Sequence, residues 1–235
     1  MDKDMKKTIY ILHGWAIDSE NEKKWHEFRK LLSELGYETN FLAIPGLTNK
    51  LDKVWSLNDY VVWLENQLPK EKVILLGHSF GGQIVSMFAS RYLYRVKMII
   101  LIDSSGMIDK SLKKVIKRYV FRTAAKIGKT IFKHQVFRKF LYKLAREKDY
   151  FQADPIQRQT MANVINSEVT SQLDKIEAPT LIIWGENDTV TPLKFAKVFN
   201  SKIKNSELHI IEGARHAPQF THILETAKII GDFLK

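Results

Sequence analysis

The apolar run Val73-Ile74-Leu75-Leu76 passes without a break into Gly77-His78-Ser79-Phe80-Gly81 and then into the helical pattern Gly82-Gln83-Ile84-Val85-Ser86-Met87-Phe88-Ala89. A strand that turns this abruptly into a helix leaves few architectures open, because the two elements must lie in adjacent layers. The apical serine occupies a strained backbone position, and the glycines two residues either side of it remove side chains that would crowd the neighbouring turn. This is the pattern of a nucleophile elbow. The first amides of the following helix point toward the serine and favour negative charge developing there.

Two later segments repeat the theme of a polar residue just beyond an apolar run. Trp184-Gly185-Glu186-Asn187-Asp188 follows Thr180-Leu181-Ile182-Ile183, and Gly213-Ala214-Arg215-His216 follows Leu208-His209-Ile210-Ile211. Ligands bind at the C-terminal ends of strands in open α/β sheets, so each segment delivers its side chain to the same edge as Ser79. The chain order Ser79, Asp188, His216 is that of one hydrolase architecture.

On these residues the chain resembles the α/β-hydrolase superfamily over nearly its whole length. The resemblance implies Ser79 as nucleophile, Asp188 as acid and His216 as base. His13-Gly14-Trp15, after the strand pattern Thr8-Ile9-Tyr10-Ile11-Leu12, is similar to the family's oxyanion-hole turn, which implies backbone amides of Trp15 and Phe80 as oxyanion donors. A serine at the elbow argues against the family's haloalkane dehalogenases and epoxide hydrolases, which use aspartate there. Esters, thioesters, lactones, amides and certain carbon-carbon bonds stay open. The chain is partly similar to the esterases that cleave the methyl ester of pimeloyl-[acyl carrier protein]. It departs from them in its trimmed start and in Gly-His-Ser-Phe-Gly at the elbow, where some biotin enzymes carry a tryptophan. Ile223 falls where many relatives have a proline.

Strand-like segments predict six strands, over 8–12, 38–43, 73–76, 98–102, 180–184 and 207–211, with helices over 25–34, 56–68, 82–92, 193–199 and 223–234 between and after them. Alternation of this kind argues for a parallel sheet covered by helices. Only seven residues precede Thr8, too few for the antiparallel hairpin that opens the usual family fold. The expectation is a trimmed α/β-hydrolase fold: a six-stranded, all-parallel sheet of order 2-1-3-4-5-6, flanked by helices. Residues 107–175 break the alternation and are too long for a bare loop. Leu112, Val115, Ile116, Tyr119, Val120, Ile127, Ile131, Val136, Phe140, Leu141 and Leu144 recur near helical spacing, which predicts a helical lid inserted after strand 4. Residues 1–106 and 176–235 then form the core.

That insertion holds 16 Lys+Arg against 6 Asp+Glu, a net +10 of the chain's +11. A solvated lid face accounts for such a charge, but its concentration in one segment also suits an acidic carrier protein or an anionic lipid surface. Phe121, Phe132, Phe137 and Phe140 could enter a lipid interface. No nucleic-acid-binding motif accompanies the charge, so nucleic acid is not expected. With 45% hydrophobic residues and no run of eighteen apolar ones, the chain fits one soluble domain without a membrane span. The first seven residues lead straight into a strand the site needs, which argues against a cleaved signal and for the cytoplasm. The absence of cysteine excludes disulfides, a thiol nucleophile and thiolate metal sites.

Seven histidines compete for the role of base. His13 and His78 belong to the turns around the site and shape it, with a substrate contact open to each. His26, His134, His209 and His222 have no motif around them. His216 precedes Ala217-Pro218, whose proline fixes the chain as it leaves. Asp103, ending Leu101-Ile102-Asp103-Ser104-Ser105-Gly106, competes with Asp188 for the acid role, and the Gly-Glu-Asn-Asp context favours Asp188. Glu186 is expected to face solvent. Met107 and Phe151 are candidate walls of the substrate pocket. The chemistry calls for no cofactor and no metal. The reading is a serine carboxylesterase acting on short-to-medium-chain esters. A carrier-linked methyl ester esterase or thioesterase, a lipid-surface lipase and a non-catalytic ligand-binding member of the fold are the alternatives.

Overall fold

The computed structural model describes residues 7–16, 21–108 and 153–235. The helical run expected between Leu112 and Leu144, the four interfacial phenylalanines and Phe151 lie outside the described residues.

The chain order is β1 (Lys7–Leu12), α1 (Asn21–Lys24), α2 (His26–Glu34), β2 (Tyr37–Phe41), α3 (Leu57–Gln67), β3 (Val73–His78), α4 (Phe80–Arg91), β4 (Val96–Ile102), α5 (Pro155–Ile165), β5 (Thr180–Gly185), α6 (Lys194–Lys202), β6 (Ser206–Ile211), α7 (Pro218–Thr221) and α8 (Ile223–Phe233). The six strands form one sheet in the order β2-β1-β3-β4-β5-β6, and every pairing is parallel. Order and direction are those the sequence predicts.

The period-two alternation of strand side chains divides the core between the sheet's faces. Ile9, Ile11, Ile74, Leu76, Ile100, Ile102, Leu181 and Ile183 pack with Phe28 and Leu32 of α2 and Ile230 of α8. Their neighbours Leu12, Leu75, Leu101 and Ile182 pack with Tyr60 and Leu64 of α3, Ile84 and Phe88 of α4, and Phe199 of α6. Central strands β3 and β5 are buried at every residue, as a sheet covered on both faces requires. Local signals start the helices: Ser56 and Asp59 form a capping box on α3, and Asp154 and Gln157 form another on α5 with Pro155 at its first turn.

The sheet order reverses between β1 and β3, so the turns leaving these two strands meet above the sheet's C-terminal edge. The approach is close. A side chain at Gly81 would overlap the carbonyl oxygen of Leu12, and one at Gly77 would come 2.6 Å from Cα of Gly82. Both obstacles are backbone and cannot rotate away. Gly81→Ala is therefore expected to destabilise the protein by about 3 kcal/mol, the upper range for forcing extra volume into packed structure, measured as a lower urea midpoint at unchanged slope.

Candidate active site

Ser79 joins β3 to α4 with φ 52° and ψ −115°, a left-handed backbone that a non-glycine residue keeps only when its surroundings impose it. They do so through the main chain. Its N–H donates to Ile102 O (3.0 Å), and its carbonyl accepts from the amides of Ser105 (2.9 Å) and Gln83 (3.2 Å). Phe80 is the first residue of α4, where an N–H has no carbonyl within the helix to bond. The His13-Gly14-Trp15 turn passes over this corner. Gly81 N–H donates to His13 O (3.1 Å), and a Cβ on Gly14 would lie 3.1 Å from Ser79 Cβ and 2.9 Å from His78 Nδ1. Trp15 packs on Phe80 with ring centroids 5.4 Å apart, and Phe80 meets Tyr60 edge-on at 5.0 Å. Tyr60 is itself held by its hydroxyl donating to Pro45 O (3.0 Å).

Asp188 and His216 come together at the ends of β5 and β6. Asp188 Oδ1 accepts from the amides of Val190 (2.7 Å) and Thr191 (3.0 Å), while Oδ2 accepts from the Thr191 hydroxyl (2.6 Å) and from His216 Nδ1 (2.8 Å). Burial opposes ionisation of Asp188, but the bond and charge of His216, with the Thr191 and Val190 donors, outweigh it and hold the carboxyl below its usual range. Burial likewise works against a charged His216, and the bond to Asp188, its charge and that of Asp103 overcome it, raising the imidazole above its ordinary value. An ionised Asp188 can only accept, so the Nδ1 proton stays on His216 and Nε2 presents a lone pair. The His216 ring lies 5.0 Å from that of His78, the residue preceding Ser79. Burial, then the repulsion that a protonated His216 or His13 would exert, keep His78 well below the usual histidine range, so His78 is the neutral ring of the pair.

Asp103 is wholly buried one strand away. Its carboxylate accepts from Gly185 N–H (2.9 Å) and Ala217 N–H (2.7 Å), and Oδ2 stands 4.0 Å from His216 Nδ1. Of the two carboxylates the sequence offers, Asp188 therefore bonds the imidazole and Asp103 stands behind it. Exposed Glu186 faces solvent as expected and also accepts from Gly213 N–H (3.0 Å), tying the acid loop to the base loop. Thr191, absent from the sequence reading, supplies two of the four bonds to Asp188. Its signal is the Asp-x-x-Thr spacing of a side-chain-closed turn. Among the described residues, His78, Asp103 and His216 have donor atoms within 4.8 Å of one another, the spacing of a cation site. Asp103 and His216 already engage the amides and carboxylate just named.

His13 is fully buried, stacked on Phe41 at 5.1 Å, and burial lowers its pKa to about 4. It shapes the turn as a neutral ring. Met107 packs against the core. Beside it the Val169 amide donates to Gly106 O (2.8 Å). Helix α5 and the residues after it are fixed to the rest of the fold. Gln83 of α4 donates to Val164 O and Ser167 O (both 2.9 Å), Trp55 N–H donates to Thr160 Oγ1 (3.0 Å), and Gln157 donates to Gly46 O (2.9 Å). Among the described residues no helix is long and apolar enough to cross a membrane.

The chain is similar to known proteins over nearly its whole length. The chain is 26% identical to a pimeloyl-[acyl-carrier protein] methyl ester esterase of Shewanella woodyi, covering 96% of this chain and 93% of that protein. It is 24% identical to 2-hydroxy-6-oxononadienedioate/2-hydroxy-6-oxononatrienedioate hydrolase 1 of Pseudomonas putida, covering 97% and 88%. Among solved structures, a bacterial membrane phospholipase A superposes with a TM-score of 0.74 at 20% identity, covering 99% of this chain and 79% of that one, a likeness of fold. Residues 7–223 match the family model described as alpha/beta hydrolase fold, and the chain belongs to that family.

Proposed function

We propose that this protein is a serine carboxylesterase that hydrolyses short-to-medium-chain carboxylic esters through an acyl-enzyme on Ser79. The observation that carries the reading is the 2.8 Å bond from His216 Nδ1 to a buried Asp188, on the same sheet edge as a serine held at a left-handed apex. Ser79 Oγ attacks the ester carbonyl while His216 Nε2 takes its proton, and Asp188 holds the imidazole tautomer and stabilises the imidazolium. The amides of Trp15 and Phe80 hold the oxyanion, each contributing on the order of 3 kcal/mol to the lowered barrier. His216 protonates the leaving alcohol, then activates water to free the acid. Residues 107–175 serve as the lid, with Met107 and Phe151 walling the acyl pocket and His13 and His78 shaping its floor.

A second reading, an esterase for methyl esters carried on an acidic acyl carrier protein, is favoured by two observations. The insertion concentrates the net positive charge, and relatives over nearly the full chain bear that activity in their names. The test is turnover of p-nitrophenyl esters from acetate to palmitate, alongside a carrier-linked methyl ester at rising salt. Turnover peaking at short to medium chains supports the first reading. Carrier hydrolysis that falls steeply with salt while a neutral ester does not supports the second, because screening weakens contacts between exposed charges. Turnover that needs anionic vesicles would indicate a lipase, and no turnover by folded protein a binding role.

A further inference from the structure

Asp103 makes contacts that the reaction as written does not use. It follows β4 directly with φ 44°, in the left-handed region, and Ala217, after His216, has φ 88°. Both are non-glycine residues in the left-handed region, and one hydrogen bond joins them, Ala217 N–H to Asp103 Oδ2 at 2.7 Å. The other carboxylate oxygen takes the amide of Gly185, three residues before Asp188, at 2.9 Å. The Asp103 carbonyl is 3.2 Å from the Thr191 hydroxyl, three residues after Asp188. One carboxylate thus bonds the acid loop just before Asp188, through Gly185, and the base loop immediately after His216, through Ala217.

We propose that Asp103 is a positioning residue for the Asp188–His216 pair, with its single carboxylate setting the spacing of the two loops that carry acid and base. The proposal rests on His216 acting as base for Ser79. A carboxylate is required because both of its partners are N–H donors. An amide in its place offers one acceptor and turns a second donor toward an amide that needs an acceptor. The charge adds a second effect. Oδ2 lies 4.0 Å from His216 Nδ1, where negative charge favours the imidazolium formed during attack. The titratable groups facing Asp103 are His216, Asp188 and His78. Burial pushes its pKa to about 7, with Asp188 adding to the push and a positive His216 opposing it. Ionisation of Asp103 is therefore linked to the charge on His216.

The test compares wild type with Asp103→Asn, and with Asp103→Ser if the amide variant does not fold, using circular dichroism and thermal midpoints to establish folding. The expected result is a kcat about 10- to 100-fold lower, the scale of a displacement near 1 Å between reacting groups, with KM changed less than about twofold. A fold-only role would not move the second readout, the His216 pKa in substrate-free protein by imidazole NMR. It should fall, because a negative charge beside the imidazolium is gone, and the acid limb of kcat/KM should move to lower pH with it. A folded variant with wild-type kcat and wild-type His216 pKa overturns the proposal. So does a lower kcat with an unmoved His216 pKa, and so does failure of both variants to fold, since positioning would then be inseparable from folding. If wild type turns over no ester, the esterase reading fails, while the NMR comparison still decides the role of Asp103.

Discussion

Ser79→Ala is expected to lose ester hydrolysis by on the order of 10⁶-fold in kcat while leaving the fold intact, as for removal of a nucleophile from a triad acting as a unit. The two halves of this expectation have separate physical grounds. Chemistry fails because alanine has no oxygen to form the acyl-enzyme. Structure survives because the apex is held by main-chain bonds to Ile102, Ser105 and Gln83, and the Ser79 side chain makes no capping bond to α4. Alanine also bears the left-handed φ of 52° at a cost close to that of serine, since both carry a Cβ. Turnover of p-nitrophenyl butyrate, with labelling by a fluorophosphonate probe, reads the effect. Wild type should turn over and label, and the variant should do neither. Labelling of the variant at an undiminished rate would remove Ser79 from the mechanism.

Asp188→Asn should lower kcat about 10⁴-fold, the scale seen when the acid of a triad becomes an amide. The amide NH₂ can donate to His216 Nδ1, which moves the ring proton to Nε2 and leaves that atom unable to accept from Ser79. The pH profile should move as well. Asp188 raises the His216 pKa in the native protein, and activity requires the neutral ring, so wild-type kcat/KM falls as pH drops through that raised value. Without the carboxylate the value is lower, and the small remaining activity should extend to lower pH. An acid limb unmoved in Asp188→Asn would mean that the group titrating in the profile is not His216.

The sheet is legible because strand-like segments alternate with helix-period sequence along most of the chain, and its order follows from the family fold that the motifs resemble once the two leading strands are removed. Strand ends are less so. β4 begins at Val96, before the exposed Lys97 that interrupts its apolar run, and β5 continues to Gly185, which has no side chain to signal it. Helix α5 falls inside the expected lid, and its start is signalled by Asp154-Pro155 with Gln157, a capping pattern readable in the chain. Asp103 and Asp188 both lie beyond the ends of adjacent strands, β4 and β5, and sequence context favours Asp188. Distance agrees, with Asp188 2.8 Å and Asp103 4.0 Å from the same nitrogen. The amide partners of Asp103 lie 82 and 114 residues away, and nothing local to Leu101-Ile102-Asp103 announces them.

Gln83 sits on the first turn of α4 and holds two carbonyls, Val164 O in the last turn of α5 and Ser167 O just past it, so the proposed oxyanion donor Phe80 and the end of α5 are referenced to one rigid part. In engineering language, tolerances accumulate along a chain of separately mounted components and stay small when components share a datum. A site that needs placement within about 0.5 Å gains from the second arrangement. Substitutions that keep Gln83 and its two acceptors are then expected to keep α4 and α5 in register.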